Sequence, residues 1–149
     1  MTNKKKLEQY DLIVIGAGSG GLGILLSFLE LGLKVLLINK KAEKIGGECL
    51  NTGCVPGKAL IHVAKALRHA KKAHEFGLDF KGSTSLQKMP AYIKAKQESI
   101  RKHENVDYLA KKGLDVVLGE AMFHSKKSVE VKGEVFHATG IVIAKGSSP

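Results

Sequence analysis

Two cysteines and a cluster of glycines are the residues of this 149-residue sequence whose types and spacing point most directly to chemistry. Cys49 and Cys54 can form a small disulfide ring if the first turn of a helix brings their Cα atoms within about 4.4–6.8 Å. A small exposed ring of this kind is easily reduced and re-formed, which suits a redox catalyst better than a structural crosslink. The alternative is a pair of free, partly buried thiols.

The residues after this pair favour an ionised thiol. A helix is predicted to begin by Pro56, so Cys54 would lie near its N-terminus, with Lys58 one turn further along. A helix N-terminus and a nearby lysine both stabilise a thiolate. We therefore expect Cys54 to favour the thiolate form.

The glycines at 16, 18 and 21 satisfy the pattern G-x-G-x-x-G, with Ser19 and Gly20 in the same turn. The first glycine permits a tight turn, the second lets a pyrophosphate approach the backbone, and the third allows a helix to pack closely on a strand. The phosphates would lie at the helix N-terminus, where free N–H groups and the positive end of the dipole meet. This turn predicts dinucleotide binding.

The elements that must position these residues follow from the hydropathy pattern. Strand, helix and strand in the first forty residues predict the beginning of a βαβ unit with a right-handed crossover, and residues 40–53 are predicted to be a loop because they show no periodicity. The last third predicts an antiparallel meander with turns at 125–127 and 132–133. The predicted strands are 12–15, 33–38, 115–119 and 141–144, and the predicted helices are 19–31, from 56 onwards, and 86–112.

At the end of the second predicted strand, Asn39 stands where a ribose-binding carboxylate is expected, about twenty residues after the glycine turn. An asparagine can accept one hydrogen bond from a ribose hydroxyl, but it lacks the charge that strengthens such bonds. The alternative is that Asn39 is only a polar residue at the end of a strand.

Composition limits the classes of partner. The net charge of +10 is best explained by solvated helix faces. Attraction for an anion such as a pyrophosphate is the second interpretation, and binding of nucleic acid is the third. There is no tryptophan, and no block of basic residues is interleaved with aromatics, which argues against nucleic acid. Residues 1–9 hold no apolar segment of a secretory signal, and the apolar stretch 22–37 is interrupted by polar residues. We expect a cytoplasmic protein without membrane or nucleic-acid partners.

Around the cysteines, the run G-G-E-C-L-N-T-G-C-V-P-G-K-A-L from Gly46 to Leu60 resembles the redox-active signature of the class I pyridine nucleotide–disulfide oxidoreductases. That family includes dihydrolipoamide dehydrogenase, glutathione reductase and mercuric reductase. The resemblance extends to residues 119–123, similar to the stretch whose backbone meets the adenine, and to 139–147, similar to the second FAD motif. It implies an α/β, Rossmann-like FAD/NAD(P)-binding three-layer fold, with a parallel sheet and a small antiparallel meander.

The resemblance also implies a relay in which NAD(P)H reduces the flavin and the flavin reduces a Cys49–Cys54 disulfide. The dithiol then reduces a small-molecule disulfide or a metal ion, or the sequence runs in reverse from a dithiol such as dihydrolipoamide. By position, Cys54 would lie next to the flavin, Cys49 would attack substrate, and Lys58 would bind near the flavin. No metal site is expected. The predicted cofactor-binding residues are Gly16, Gly18, Ser19, Gly20, Gly21, Asn39, Lys40, Gly46, Gly47, Glu48, Cys49, Cys54, Lys58, Gly119, Glu120, Ala121, Ala144, Lys145 and Gly146.

Three positions depart from the family pattern: Asn39 replaces a glutamate, Gly57 replaces a serine or threonine, and Lys145 replaces the threonine of an A-T-G triplet. Together they predict weaker retention of FAD. The NAD(P)H domain, the returning FAD segment and the dimerisation domain with its His–Glu pair are absent from residues 1–149. We therefore expect a truncated N-terminal part of the FAD-binding domain, from an enzyme that is a homodimer at full length, and no turnover by the fragment alone.

Two other interpretations stay open. The chain could be a non-catalytic, truncated FAD-domain module that acts only as a folded unit or binding remnant. It could also be the NAD-binding domain of an ordinary dehydrogenase, although the Cys49–Cys54 signature argues against that. The sequence leaves the substrate open between lipoamide, glutathione and mercuric ion.

Overall fold

A computed structural model describes residues 9–79, 81–83 and 85–147. Of the N-terminal segment considered for a secretory signal, residues 1–8 lie outside the described residues. In the described residues there are three 3₁₀ turns, at Ala42–Lys44, Ala73–Phe76 and Leu86–Lys88. The strands are β1 (Gln9–Ile15), β2 (Val35–Asn39), β3 (Asp115–Leu118), β4 (Met122–Ser125), β5 (Ser128–Val131) and β6 (Glu134–Ile143). The helices are α1 (Ser19–Glu30), α2 (Gly47–Asn51), α3 (Cys54–Lys72), α4 (Met89–Arg101) and α5 (Val106–Lys111).

The chain forms two compact units, which we call the sheet unit (residues up to 47 and from 102) and the helical unit (48–101). In the sheet unit, six strands lie in the order β3-β2-β1-β6-β5-β4. The first four are parallel, with Leu12 of β1 paired to Val35 on one side and to Gly140 on the other. β4 and β5 complete the sheet in antiparallel order. The predicted parallel sheet with a small meander is confirmed.

Both faces of this sheet bury apolar side chains, because alternate residues of a strand point to opposite faces. On one face, Leu12 and Val14 pack with Leu22 and Leu25 of α1 and with Leu109 of α5. On the other face, the buried cluster combines β1 and β2 with the meander, and its members are Tyr10, Ile13, Leu36, Ile38, Val129, Val131, Phe136 and Ala138. The apolar runs of β1 and β2 are therefore buried on both sides, as parallel strands require.

In the helical unit, α3 and α4 pack against each other. The rings of His62 on α3 and Tyr92 on α4 are stacked, with centroids 6.3 Å apart. Pro90 is the second residue of α4, where its missing N–H removes no helical hydrogen bond. No helix within the described residues combines the length and apolar character needed to cross a bilayer.

Three predicted elements were wrong. Residues 40–53 are not a plain loop, since they contain α2, a helix of five residues that is too short to show a periodicity. The predicted helix 86–112 is divided into α4 and α5, because the Asn105 side chain accepts a hydrogen bond from the Tyr108 N–H (2.9 Å) and caps a new helix. Residues 141–143 are not a separate buried strand but the half-buried to exposed end of the ten-residue β6.

The burial of β2 gives a direct test of this packing. Leu36 is fully buried, whereas Leu31, at the end of α1, is 73% exposed. We expect Leu36→Ala to lower the free energy of unfolding by about 2–5 kcal/mol, because it leaves a cavity in the sheet core. The control Leu31→Ala should change it by less than about 0.5 kcal/mol. Urea denaturation followed by circular dichroism measures both, and equal losses in the two variants would contradict the described core.

Candidate active site

Most of the predicted cofactor-binding residues lie at one edge of the sheet. Because β1, β2, β3 and β6 are parallel, their carboxyl ends share that edge. The residues that follow these strands therefore come together, and ligands of open α/β sheets bind at such an edge. They are Gly16, Gly18, Ser19, Gly20 and Gly21 after β1, Asn39 and Lys40 at the end of β2, Gly119, Glu120 and Ala121 after β3, and Ala144, Lys145 and Gly146 after β6.

The glycine turn after β1 leaves no room for side chains at two of its positions. Gly16 has a φ of +107°, and a Cβ there would overlap the Ala144 carbonyl, while a Cβ at Gly21 would overlap the carbonyl of Gly16. At Gly18, in contrast, an added Cβ would meet no atom closer than 3.9 Å, the Cα of Gly47. The first and third glycines thus allow backbone packing, and the second leaves a surface that a ligand can approach.

Gly46 and Gly47 pack directly on this turn, within the sheet unit. The Gly46 N–H donates to the Ala17 carbonyl (2.8 Å). Both glycines have positive φ, and a Cβ at Gly47 would come within 2.7 Å of the Gly18 Cα. The first two glycines of the cysteine signature are therefore favoured by their positive φ, and Gly47 also by the close approach of two backbone segments.

The first turn of α1 offers its backbone to an anion. Among the described residues, no side chain caps this helix at Gly18, and no acidic residue lies in its first turn. Ser19 and Gly20 are exposed. Unsatisfied N–H groups and the positive end of the helix dipole favour a phosphate at this position.

Asn39 has a role that neither sequence interpretation anticipated. Its Oδ1 accepts a hydrogen bond from the Ala17 N–H (3.1 Å), and its Nδ2 donates to the Lys41 carbonyl (2.8 Å). Both ends of the amide are thus bonded to backbone, one of them in the glycine turn. Asn39 fixes the turn to the end of β2.

Lys40 and Glu120, which follow neighbouring strands, form an ion pair. The Gly119 N–H donates to the Asn39 carbonyl (3.0 Å), which extends the pairing of the two strands to this position. A hydrogen bond and charge attraction from Lys40 lower the pKa of the Glu120 carboxyl. A cation and a carboxylate are therefore fixed side by side at the edge. Lys145 is also exposed there, with its Cα beside Gly16.

The helical unit holds the two cysteines and the other predicted site residues, Glu48 and Lys58, both of which are exposed. Cys49 lies in α2 and is half-buried, whereas Cys54 is the first residue of α3 and is exposed. Both are in the thiol form, and a side-chain hydrogen bond joins them. The turn between them closes because the Gly53 N–H donates to the Glu48 carbonyl (2.7 Å). The predicted proximity of the sulfurs is confirmed.

The two features expected to favour a thiolate at Cys54 act in that direction, but a neighbouring sulfur opposes them. The hydrogen bond from its side chain to Cys49, followed by the charge of Cys49, raises the pKa of the Cys54 thiol above its ordinary value. Lys58 and the local backbone lower that pKa, as the sequence indicated, but they do not outweigh the neighbouring sulfur. A helix N-terminus alone therefore does not determine the ionisation of this thiol.

Two side chains of α4, which the sequence analysis missed, hold α2 in place. Gln97 Nε2 donates to the carbonyls of Leu50 (3.0 Å) and Asn51 (2.8 Å), and an Arg101 guanidinium nitrogen donates to the Asn51 Oδ1 (2.9 Å). These bonds satisfy carbonyls at the end of a helix that is too short to satisfy them itself. Gln97 and Arg101 are four residues apart, which places both on one face of a helix. This spacing is the sequence feature that could have indicated their shared role.

Comparison with known proteins adds independent information. Residues 10–149 match the family described as pyridine nucleotide-disulphide oxidoreductase. Dihydrolipoyl dehydrogenase of Thermus scotoductus is 38% identical over 96% of this chain and 30% of its own length. That of Bacillus subtilis is 35% identical over 93% of this chain and 31% of its own length. The chain therefore spans about 30% of the length of these relatives.

A solved structure is similar as well. The HOCl-induced flavoprotein disulfide reductase RclA from Escherichia coli matches 94% of this chain and 29% of its own length, with a TM-score of 0.73 and 27% sequence identity. Together with the observed sheet, this similarity confirms the predicted Rossmann-like fold.

The packing of the glycine turn can be tested by a matched pair of substitutions. Gly21→Ala places a methyl group against the Gly16 carbonyl, whereas Gly20→Ala points into open space. We expect Gly21→Ala to lower the free energy of unfolding by about 1–3 kcal/mol through overpacking. Gly20→Ala should leave it unchanged or raise it by up to about 1 kcal/mol. The account of the turn fails if urea denaturation finds the two variants equally stable.

The pKa of Cys54 provides a second test. Cys49→Ala removes the two largest causes that raise this pKa, so we expect it to fall and the thiolate fraction to increase at any pH below it. Lys58→Met removes a cause that lowers the pKa and should raise it. The pH dependence of iodoacetamide alkylation at Cys54, followed by mass spectrometry, reports both directions. Thr52→Ala serves as the control, and unchanged or slower alkylation in Cys49→Ala would refute the assignment.

Proposed function

Because this chain belongs to the pyridine nucleotide-disulphide oxidoreductase family, we propose that it provides the FAD-binding edge and the redox-active dithiol of a flavin-dependent disulfide oxidoreductase. The observation that carries this proposal is the hydrogen-bonded pair of Cys49 and Cys54 within the G-G-x-C-L-N-x-G-C signature. The similarity to dihydrolipoyl dehydrogenases and to a flavoprotein disulfide reductase supports it.

The residues at the sheet edge fit FAD. The open approach at Gly18 and the uncapped N-terminus of α1 suit a pyrophosphate, which would accept hydrogen bonds from the backbone of Ser19 and Gly20. Residues 119–121 and 144–146 flank this turn at the same edge and would contact the cofactor on either side. When bound, FAD supplies two-electron redox chemistry at its isoalloxazine ring.

In this proposal, the two sulfurs of the chain perform thiol–disulfide exchange. The Cys49 thiolate attacks one sulfur of a substrate disulfide and releases the other as a thiolate, which takes up a proton. The Cys54 sulfur then displaces the second substrate sulfur, so that a Cys49–Cys54 disulfide forms and the substrate is reduced to two thiols. The raised pKa of the Cys54 thiol supports this order, since it favours the protonated form of Cys54 during the first step.

The family resemblance implies that Cys54, the first residue of α3, would lie on the side of the flavin, with Lys58 one turn further along the same helix. A bound reduced flavin would supply the two electrons that reduce this disulfide, and the Cys49 and Cys54 sulfurs would take up two protons and become thiols again. The chain's contribution is to hold the sulfurs adjacent, through the Gly53–Glu48 hydrogen bond and the α4 side chains Gln97 and Arg101.

The substrate class that we propose is a small-molecule dithiol or disulfide resembling lipoamide, because relatives across 93–99% of this chain are named dihydrolipoyl dehydrogenase. A metal ion is the second candidate that the family resemblance provides. For the whole protein we further propose NAD(P)H as the partner of FAD, a homodimer, and a cytoplasmic location.

A thiol titration tests the proposed redox role of the cysteines. We expect two reactive thiols per reduced chain, none after mild oxidation, and two again after reduction. No disulfide should link two chains at any stage. Cys49→Ser and Cys54→Ser should each keep one thiol or form disulfide-linked dimers instead. Two thiols that persist under the oxidant, or dimers in the unmodified chain, would favour the non-catalytic module and overturn the proposal. Thiol counts by Ellman's reagent and non-reducing electrophoresis give both readouts.

A further inference from the structure

The edge proposed to bind FAD has no carboxylate at the last residue of β2, Asn39. Dinucleotide-binding folds place a carboxylate there to bind ribose hydroxyls. In this chain the position holds Asn39, whose Oδ1 and Nδ2 are both bonded to backbone groups, those of Ala17 and Lys41. Its amide therefore holds the turn together and carries no charge, so a charged acceptor for a ribose must come from another residue.

Glu120 is the carboxylate that the fold brings to this place. β2 and β3 are neighbours in register, with Asn39 opposite Leu118, and the Gly119 N–H donates to the Asn39 carbonyl (3.0 Å). Glu120 is the next residue, and its side chain reaches Lys40, the residue after Asn39. The carboxylate thus lies two residues beyond Leu118, the partner of Asn39, at the end of the adjacent strand.

We propose that Glu120 replaces the missing acid of β2 and accepts hydrogen bonds from the ribose hydroxyls in the adenosine half of the dinucleotide. This inference rests on the proposed function. The ion pair with Lys40 engages Oε1 of Glu120, and an ionised carboxylate has about four acceptor sites in all. Capacity therefore remains for the two hydroxyls of a ribose.

Exposure and charge agree with this role. The side chains of Lys40 and Glu120 are 66% and 70% exposed, so a ligand can reach them without displacing protein atoms. Lys40 holds the carboxylate in one position and lowers the pKa of Glu120, which keeps it ionised and acceptor-only. Hydrogen bonds to an ionised acceptor are about twice as strong as those between neutral groups. Glu120 is therefore a specificity-determining residue for the 2′- and 3′-hydroxyls.

Two nucleotides that differ only in these hydroxyls test the inference. We would titrate the ¹⁵N-labelled chain, of 16.0 kDa, with ADP and with 2′,3′-dideoxy-ADP, and derive affinities from the amide shifts of residues 16–21 by NMR. The unmodified chain should bind ADP about tenfold more tightly than the dideoxy compound, the effect expected for a charge-assisted hydrogen bond. Glu120→Ala should bind the two nucleotides equally, and Glu120→Gln should keep a smaller preference.

Asp115→Asn is the matched control, because Asp115 is an exposed carboxylate at the opposite end of the same strand. It should keep the full preference for ADP. The role of Glu120 is refuted if Glu120→Ala keeps a tenfold preference for ADP, or if the unmodified chain shows no such preference. Either result leaves the proposed dinucleotide site itself standing. If neither nucleotide shifts the amides of residues 16–21, the proposed dinucleotide site fails and the inference fails with it.

Discussion

Direct contact between backbones at the glycine turn is the constraint on which the rest of the sheet unit depends. Gly16 lies against the Ala144 carbonyl, Gly21 against the carbonyl of Gly16, and Gly47 against the Cα of Gly18. Segments that follow β1, β2 and β6 therefore meet where no Cβ would fit. Because backbone atoms cannot be repacked as side chains can, this contact sets where α1 begins and which N–H groups face outwards. It also fixes the chain immediately before the cysteine signature.

Polar side chains stabilise this edge of the sheet and, in the helical unit, the segment that holds the cysteines. Asn39 ties the turn to β2, and the Lys40–Glu120 pair fixes opposite charges beside it. In the helical unit, the same task falls to α4, whose side chains bind the end of α2 and so hold Cys49. In both places a side-chain amide, that of Asn39 or of Gln97, bonds to a backbone group of another segment. The reactive groups themselves, the α1 N-terminus and the two sulfurs, stay available for a ligand or for each other.

The sequence predicted what local signals determine, and it missed what depends on distant contacts. Apolar runs located β1 and β2, and the glycine pattern located the turn at Gly16, because burial and positive φ leave direct marks on composition. It missed α2, which is shorter than a detectable period, and the continuity of β6. The bonds of Asn39, the Lys40–Glu120 pair and the raised pKa of Cys54 all require knowledge of which side chains become neighbours. Spacing alone does not contain that information, and the family resemblance, now confirmed, did not include it.

The role that we propose for the backbone around Gly16–Gly21 is to bind the dinucleotide of a flavin cofactor. Hydrogen–deuterium exchange of the chain with and without FAD measures this most directly, because bound phosphate accepts from the amides that would otherwise exchange. We expect FAD to slow exchange in the peptides that cover residues 16–21 and 119–121 and to leave exchange in α4 (Met89–Arg101) unchanged. Unchanged exchange at residues 16–21 with saturating FAD, or protection confined to α4, would contradict this role.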